Sequence, residues 1–151
     1  MTLSMRDILG LSNRFHIEID GIDLGRWGSC KGLDVTFDGK PITAGGVYDH
    51  EIYLPGQMKY GTITLERAVN PKDSIAVQGW LSQVVQNWVY SANGSDSGGT
   101  GVITLYSAEA SPVISWTLRN VYPSKWSGPT LDAATMGIAK ETLAIVHQGF
   151  L

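Results

Sequence analysis

Arg14-Phe15-His16-Ile17-Glu18-Ile19-Asp20-Gly21 decides the fold class. Phe15, Ile17 and Ile19 alternate with His16, Glu18 and Asp20, which is the period of a half-buried β-strand with one apolar and one polar face. Gly21 opens a turn after it. Similar alternation recurs downstream. Gly32 to Phe37 places Leu33, Val35 and Phe37 on one face. Ile42 to Leu54 reads as two strands around Ala44-Gly45-Gly46, a flexible tip or bulge, and Leu54-Pro55-Gly56 reads as a stop. Thr62 to Arg67 alternates again, with Ile63 and Leu65 opposed to Thr62, Thr64 and Glu66.

One segment has a different period. From Asp73 to about Tyr90, Val77, Trp80, Leu81, Val84, Val85 and Trp88 recur in steps of three and four. That spacing predicts a helix whose apolar face belongs to the core. Asn70-Pro71 precedes it, and Asn70 or Asp73 can cap the first amides. Gly79 costs about 1 kcal/mol relative to Ala in mid-helix, which suggests close packing on a sheet. Ser91 to Gly101, rich in Gly and Ser, reads as a mobile loop. Strands resume at Val102 to Tyr106 and Pro112 to Arg119. A Pro- and Gly-containing crossing follows, then a last strand from about Ile138 to His147. The expected fold is mainly β with one α-helix: a single domain over residues 1–151, built as an antiparallel β-sandwich or partial barrel.

The 151 residues suit one domain. Charged residues make up 17% of the chain, below the roughly 25% of a typical soluble domain. An oligomer that hides surface explains the deficit, as does a monomer with a Ser/Thr/Gly-rich surface. A net charge of −3 without a basic stripe argues against duplex nucleic-acid binding. No apolar run approaches the roughly 20 residues of a membrane-spanning helix. Met1 to Ser12 carries Arg6 and Asp7 and no signal-peptide apolar region, so the expectation is synthesis in the cytoplasm without a membrane anchor. Cys30 is the only cysteine, which excludes an intrachain disulfide.

Residues that could carry chemistry are sparse. His16, Glu18 and Asp20 project from one strand face and could in principle bind zinc or iron. Neighbours on that face sit about 6.6 Å apart, wide for one small ion, and a solvated or interface-facing polar stripe accounts for them better. His50 and Glu51 are adjacent and point to opposite faces. No serine lies in a Gly-x-Ser-x-Gly elbow. Gly94 to Gly101 lacks the Lys-Ser/Thr ending of a phosphate-binding loop and follows a helix instead of preceding one. The reading is a non-enzyme without cofactor or metal. Of the tryptophans, Trp80 and Trp88 are expected in the core, Trp116 lies in a strand, and Trp27 and Trp126 near turns are candidates for exposure at an interface or a sugar platform.

The order of these motifs resembles the phage tail tube protein family, which includes inner tube proteins of extracellular contractile injection systems. The matching residues run through Asn13-Arg14-Phe15, Glu18-Ile19-Asp20-Gly21, Gly32-Leu33, Gly45-Gly46, Leu54-Pro55-Gly56, Thr62 to Arg67 and Trp80. The most specific block is Trp116 to Pro129, and Ala139 to Leu151 resembles the family's last strand and terminal His-x-Gly segment. Val47 to His50 and Ser91 to Gly101 are less charged than in relatives.

The resemblance implies a structural subunit. Six copies would form a ring, their sheets joining into one continuous β-barrel around a channel, and rings would stack inside a contractile sheath. Implied partners are further copies of the chain, a sheath protein, baseplate or tube-initiator and cap proteins, and cargo in the lumen. The stretch Ile42 to Tyr60 resembles the extended hairpin that reaches a neighbouring ring. Ala44, Gly45, Gly46, Leu54, Pro55 and Gly56 are therefore inter-ring candidates. His16, Glu18, Asp20, Thr64 and Glu66 are candidates for the polar face that lines the lumen. Two other readings remain: a monomeric ligand- or carbohydrate-binding β-barrel using Trp27 or Trp126, and a metalloenzyme using His16, Glu18 and Asp20.

Overall fold

The computed structural model describes residues 9–43, 45–46, 48–90, 98–134 and 136–151. The readings placed on residues 1–8, 44, 47 and 91–97 lie outside the described residues. In chain order the elements are β1 (Gly10–Ile19), β2 (Ile22–Arg26), β3 (Ser29–Lys31), β4 (Val35–Ile42), β5 (Ile52–Tyr60), β6 (Ile63–Ala68), α1 (Asp73–Tyr90), β7 (Gly99–Ser107), β8 (Pro112–Ser127) and β9 (Lys140–Val146).

β1 and β2 form a hairpin in which Ile19 pairs with Ile22. Asp20 and Gly21 form its two-residue turn at φ 53° and 76°. Positive φ at both central residues is what a tight, right-twisting hairpin requires, and Asp-Gly is a preferred pair for it.

Seven strands pair antiparallel in the order β2-β1-β7-β8-β9-β6-β3, and β4 pairs with β5 in a separate two-stranded ribbon. The edge strands of the large sheet, β2 and β3, are joined by only Trp27 and Gly28. The sheet must therefore roll until its edges come together, a partial barrel. Gly28 N donates to the Glu66 carbonyl at 2.8 Å, which extends the β3–β6 ladder into this joint. The inside of the roll is the core: Ile17 and Ile19 from β1, Leu24 from β2, Ile63 and Leu65 from β6, and Leu143 and Ile145 from β9 are all fully buried.

β8 makes the roll possible. The sequence pattern ends it at Arg119, but the strand runs on to Ser127. Its first half pairs with β7 and its second half with β9. Asn120 at φ 49° and a register shift between Pro123 and Lys125 bend it between the two. Pro123 reads as a breaker because it lacks a donor. Beside a bulge that donor is not needed.

The Leu54-Pro55-Gly56 stop is corrected in the same way. β5 passes straight through it, with Pro55 opposite Gly39 next to a register shift. A Cβ on Gly56 would lie 1.9 Å from the Asp38 carbonyl oxygen, so only glycine fits this bulge.

The helix spans the expected residues. Asn70 Oδ1 accepts from Asp73 N at 2.7 Å, and Ser74 Oγ accepts from Asn70 N at 3.1 Å, so cap and first turn satisfy each other. Its face divides, however. Val77 and Trp80 are buried and Leu81 and Val84 pack against the core, whereas Val85 (53%) and Trp88 (49%) are exposed. The expectation that Val85 and Trp88 belong to the core is thus overturned: the helix outruns the rolled sheet beneath it. The close contact expected at Gly79 is also absent, since a Cβ there would meet nothing within 4 Å.

A buried polar staple closes the seam. Arg67 on β6 and Glu141 on β9 are buried, and Arg67 Nε donates to Glu141 Oε1 at 2.6 Å. Arg67 Nη2 donates to the Asp73 carbonyl at 2.7 Å, and Nη1 donates to the Leu24 carbonyl. Its guanidinium lies 3.9 Å from the centre of the Trp27 ring. Ser74 Oγ donates to Glu141 Oε1 at 2.8 Å and Trp126 Nε1 to Glu141 Oε2 at 3.3 Å. One ion pair thus ties β2, β6, β8, β9 and the helix start together. Trp27 is buried beneath it, which removes Trp27 as an exposed sugar platform.

Candidate assembly interface

The β4–β5 ribbon is the part of the chain least served by its own fold. Among the described residues it makes no substantial contact with the helix or with another strand. A two-stranded ribbon alone in water is marginal. Polar residues on the outside could help it, but this ribbon carries apolar side chains on both faces. Ile42 pairs with Ile52, and Leu54 shares their face, whereas Tyr53 opposite Pro41 points to the other face. Beyond the bulge Phe37 opposes Met58. All seven of these side chains from Phe37 to Met58 are exposed, Phe37 at 61% and Tyr53 at 58%. Exposed apolar side chains gathered on one ribbon mark it as a candidate interaction surface. The ribbon's one ion pair among the described residues, Lys59 Nζ to Asp38 Oδ2 at 2.8 Å, crosses the two strands at the bulge.

Of the inter-ring candidates, Gly45 and Gly46 lie at the ribbon tip in open space, and Leu54, Pro55 and Gly56 lie in its shaft. The root of the ribbon is fixed. Tyr60 packs against His147 at 5.4 Å and Phe150 at 5.3 Å between ring centres. The C-terminal segment is itself pinned to β8: Arg119 N donates to the Gly149 carbonyl and Gln148 N to the Arg119 carbonyl. Partial burial lowers the His147 pKa from the ordinary histidine value, against the backbone hydrogen bonds of Gly61 and Gly149.

A second exposed apolar patch covers the end of the helix. Val85, Trp88, Val89 and Tyr90 are exposed there, and the Trp88 ring lies 6.3 Å from that of Tyr122. The helical period shows which side is apolar, but it does not distinguish a side covered by the chain's own core from one covered by another copy.

The polar-face candidates are placed on two strands near the seam. Glu18 is exposed on β1, and Thr64 and Glu66 face outward on β6, where Glu66 pairs with Lys140 at 3.6 Å. His16 and Asp20 are engaged elsewhere. His16 Nε2 lies 2.6 Å from Asp23 Oδ1, and Asp20 Oδ1 accepts from Thr100 N at 2.9 Å. Among the described residues no three His, Cys, Asp or Glu side chains converge as a metal site. Burial pushes the Cys30 thiol up to about 11, which keeps it protonated and a poor nucleophile.

A family model described as T4-like virus tail tube protein gp19 matches residues 11–151. Solved structures share the fold. A chain of the sheath-tube complex of the extracellular contractile injection system PVC, in its extended state, superposes with a TM-score of 0.72 at 20% identity over 98% of this chain and 96% of that one. A chain of the anti-feeding prophage baseplate gives 0.68 at 24% identity over 93% of each. A chain of the anti-feeding prophage cap gives 0.69 at 20% identity over 96% of this chain and 89% of that one. Comparison with curated protein sequences gives no match.

Proposed function

The chain belongs to the T4-like virus tail tube protein family, and from that premise we propose that it is a single-domain structural subunit which closes into six-membered rings and stacks them into a hollow tube. The tube carries cargo and sits inside a contractile sheath, with a baseplate or initiator at one end and a cap at the other. The subunit performs no catalysis; it conducts cargo and transmits force. It is incorporated into a phage-tail-like particle. Among the described residues no helix is long and apolar enough to cross a membrane.

The observation that carries this reading is the β4–β5 ribbon, apolar on both faces and unsupported by its own fold. A ring or stack supplies what such a ribbon lacks, a second surface. Continuation of the rolled sheet between subunits would also pair its short edge strands, β2 and β3, which otherwise invite aggregation. Glu18, Thr64 and Glu66 are assigned to the lumen side, where negative charge favours sliding of acidic cargo over sticking. Replacing Glu18 or Glu66 with Lys should change cargo loading, and unchanged loading would remove them from the lumen.

Negative-stain electron microscopy beside light scattering tests the whole reading. Six-membered rings, or hollow stacks of them, are expected. A homogeneous monomer at every concentration, bound tightly to a sugar, would instead establish the monomeric barrel.

A further inference from the structure

β6 turns Ile63, Leu65 and Arg67 to the inside of the roll. The first two are ordinary core residues. The third is a full positive charge at a core position. A buried ion pair is weak ground for stability, because well-packed apolar residues often serve a core as well or better. The use of Arg67 lies in what it holds.

It holds the joint between the two open edges of the sheet. Among the described residues β2 pairs only with β1, and β3 only with β6, so no ladder fixes one edge strand relative to the other. Two consecutive residues of β6 grip the Trp27-Gly28 joint. Glu66 accepts from Gly28 N on its carbonyl at 2.8 Å. Arg67 Nη1 donates to the Leu24 carbonyl and, at 3.5 Å, to the Arg26 carbonyl at the end of β2. The guanidinium lies 3.9 Å from the centre of the Trp27 ring, within cation–π range. Trp27 Nε1 is buried without a hydrogen-bond partner among the described residues. Packing on the guanidinium, and no hydrogen bond of its own, therefore places the indole.

The grip is itself anchored. Nε donates to Glu141 Oε1 on β9 at 2.6 Å, and Nη2 donates at 2.7 Å to the Asp73 carbonyl, where the helix that packs on β2 begins. A planar guanidinium carries its donors in fixed directions, so one side chain sets β6, β9, the helix start and the end of β2 relative to each other. A lysine there would offer a single ammonium on a flexible stem.

We propose that Arg67 is a positioning residue for ring closure: by fixing the Trp27-Gly28 joint, it sets the angle at which one copy offers its two edge strands to its neighbours. The proposal rests on the ring-forming reading of the chain. A ring closes only when every copy turns through the same angle. A loose joint spreads that angle, and the products are open arcs and rings of more than one size.

The test compares the full chain with three variants. Arg67→Met/Glu141→Leu removes the grip and leaves no buried charge. Arg67→Lys removes the grip and keeps the charge. Glu141→Gln keeps the grip and an acceptor for Arg67 Nε while weakening the pair. Circular dichroism and cooperative urea unfolding establish that each is folded, and electron microscopy with native mass spectrometry reads ring size. Both Arg67 variants should lose the single ring size of the wild type, whereas Glu141→Gln should keep it despite lower stability. A wild-type ring population from either folded Arg67 variant would overturn the proposal. So would loss of the single ring size in Glu141→Gln, which would tie closure to stability alone. Failure of both Arg67 variants to fold would overturn it too, since Arg67 would then serve the fold and not the angle. Wild-type protein that forms no closed rings would instead overturn the ring reading, and the proposal with it.

Discussion

Replacing Glu141 with Leu strips the buried Arg67 guanidinium of its nearest counter-charge and leaves it only the Asp73 carboxylate, 4.0 Å away among the described residues. The carboxylate it loses lies 2.6 Å from Arg67 Nε, and the same change removes the acceptor to which Ser74 Oγ and Trp126 Nε1 donate. Arg67 is only 4% exposed, so water cannot replace the lost partner without opening the seam. Removing one member of a buried pair costs about 3–5 kcal/mol, a large part of a total stability of about 5–15 kcal/mol. For a domain of this size each kcal/mol moves Tm by roughly 2–4 °C, so Glu141→Leu should lower it by roughly 6–20 °C.

The double change Arg67→Met/Glu141→Leu removes both charges and should be milder than Glu141→Leu alone. It still leaves the Leu24 and Asp73 carbonyls without their donor, so it should not exceed the wild type. The assay is urea unfolding of dispersed subunits with the four members of the cycle, held below the concentration of assembly, since association would raise every apparent stability. A loss under about 1 kcal/mol for Glu141→Leu, or a double variant less stable than both singles, would refute the staple.

Gly79→Ala meets no atom within 4 Å and should stabilise dispersed subunits by about 0.5–1 kcal/mol, read as a higher Tm; a lower Tm would mean that the site is not open. His147 has a folded pKa below its unfolded value of about 6.5. The unfolded chain therefore binds a proton first, and stability present above about pH 6.5 should fall as the pH drops through the folded pKa. His147→Phe should flatten that part of the urea midpoint against pH, and an unchanged slope would assign it to another group. Deleting Gly45 and Gly46 should spare rings and impair stacking, so tubes of normal length from the deletion would exclude the tip from that contact.

Much of the fold is legible from local pattern. β1 alternates because one face is core and the other is not, and the helix start announces itself through Asn70-Pro71. Where pattern fails, it fails at bulges. Pro55 and Pro123 look like breakers, yet each lies next to a register shift where the missing donor is not needed. The Arg67–Glu141 pair is invisible in the sequence because its members are 74 positions apart, and only the roll of the sheet brings them together. Val85 and Trp88 mark a different limit. Their spacing shows an apolar helix face, but the same spacing serves a core and an interface. The ribbon offers a clue that is there to read: apolar residues at consecutive positions 52, 53 and 54 put hydrophobic surface on both faces of a strand.

The most direct test of the ribbon as an assembly surface is amide hydrogen exchange, compared between dispersed subunits and assembled tubes. A ribbon supported only by itself opens at little free-energy cost. Residues 35–42 and 52–60 should therefore exchange quickly in the dispersed subunit and become protected on assembly, while the core strands β6 and β9 stay protected throughout. Assembled tubes whose ribbon exchanges as quickly as in the dispersed subunit would contradict the account.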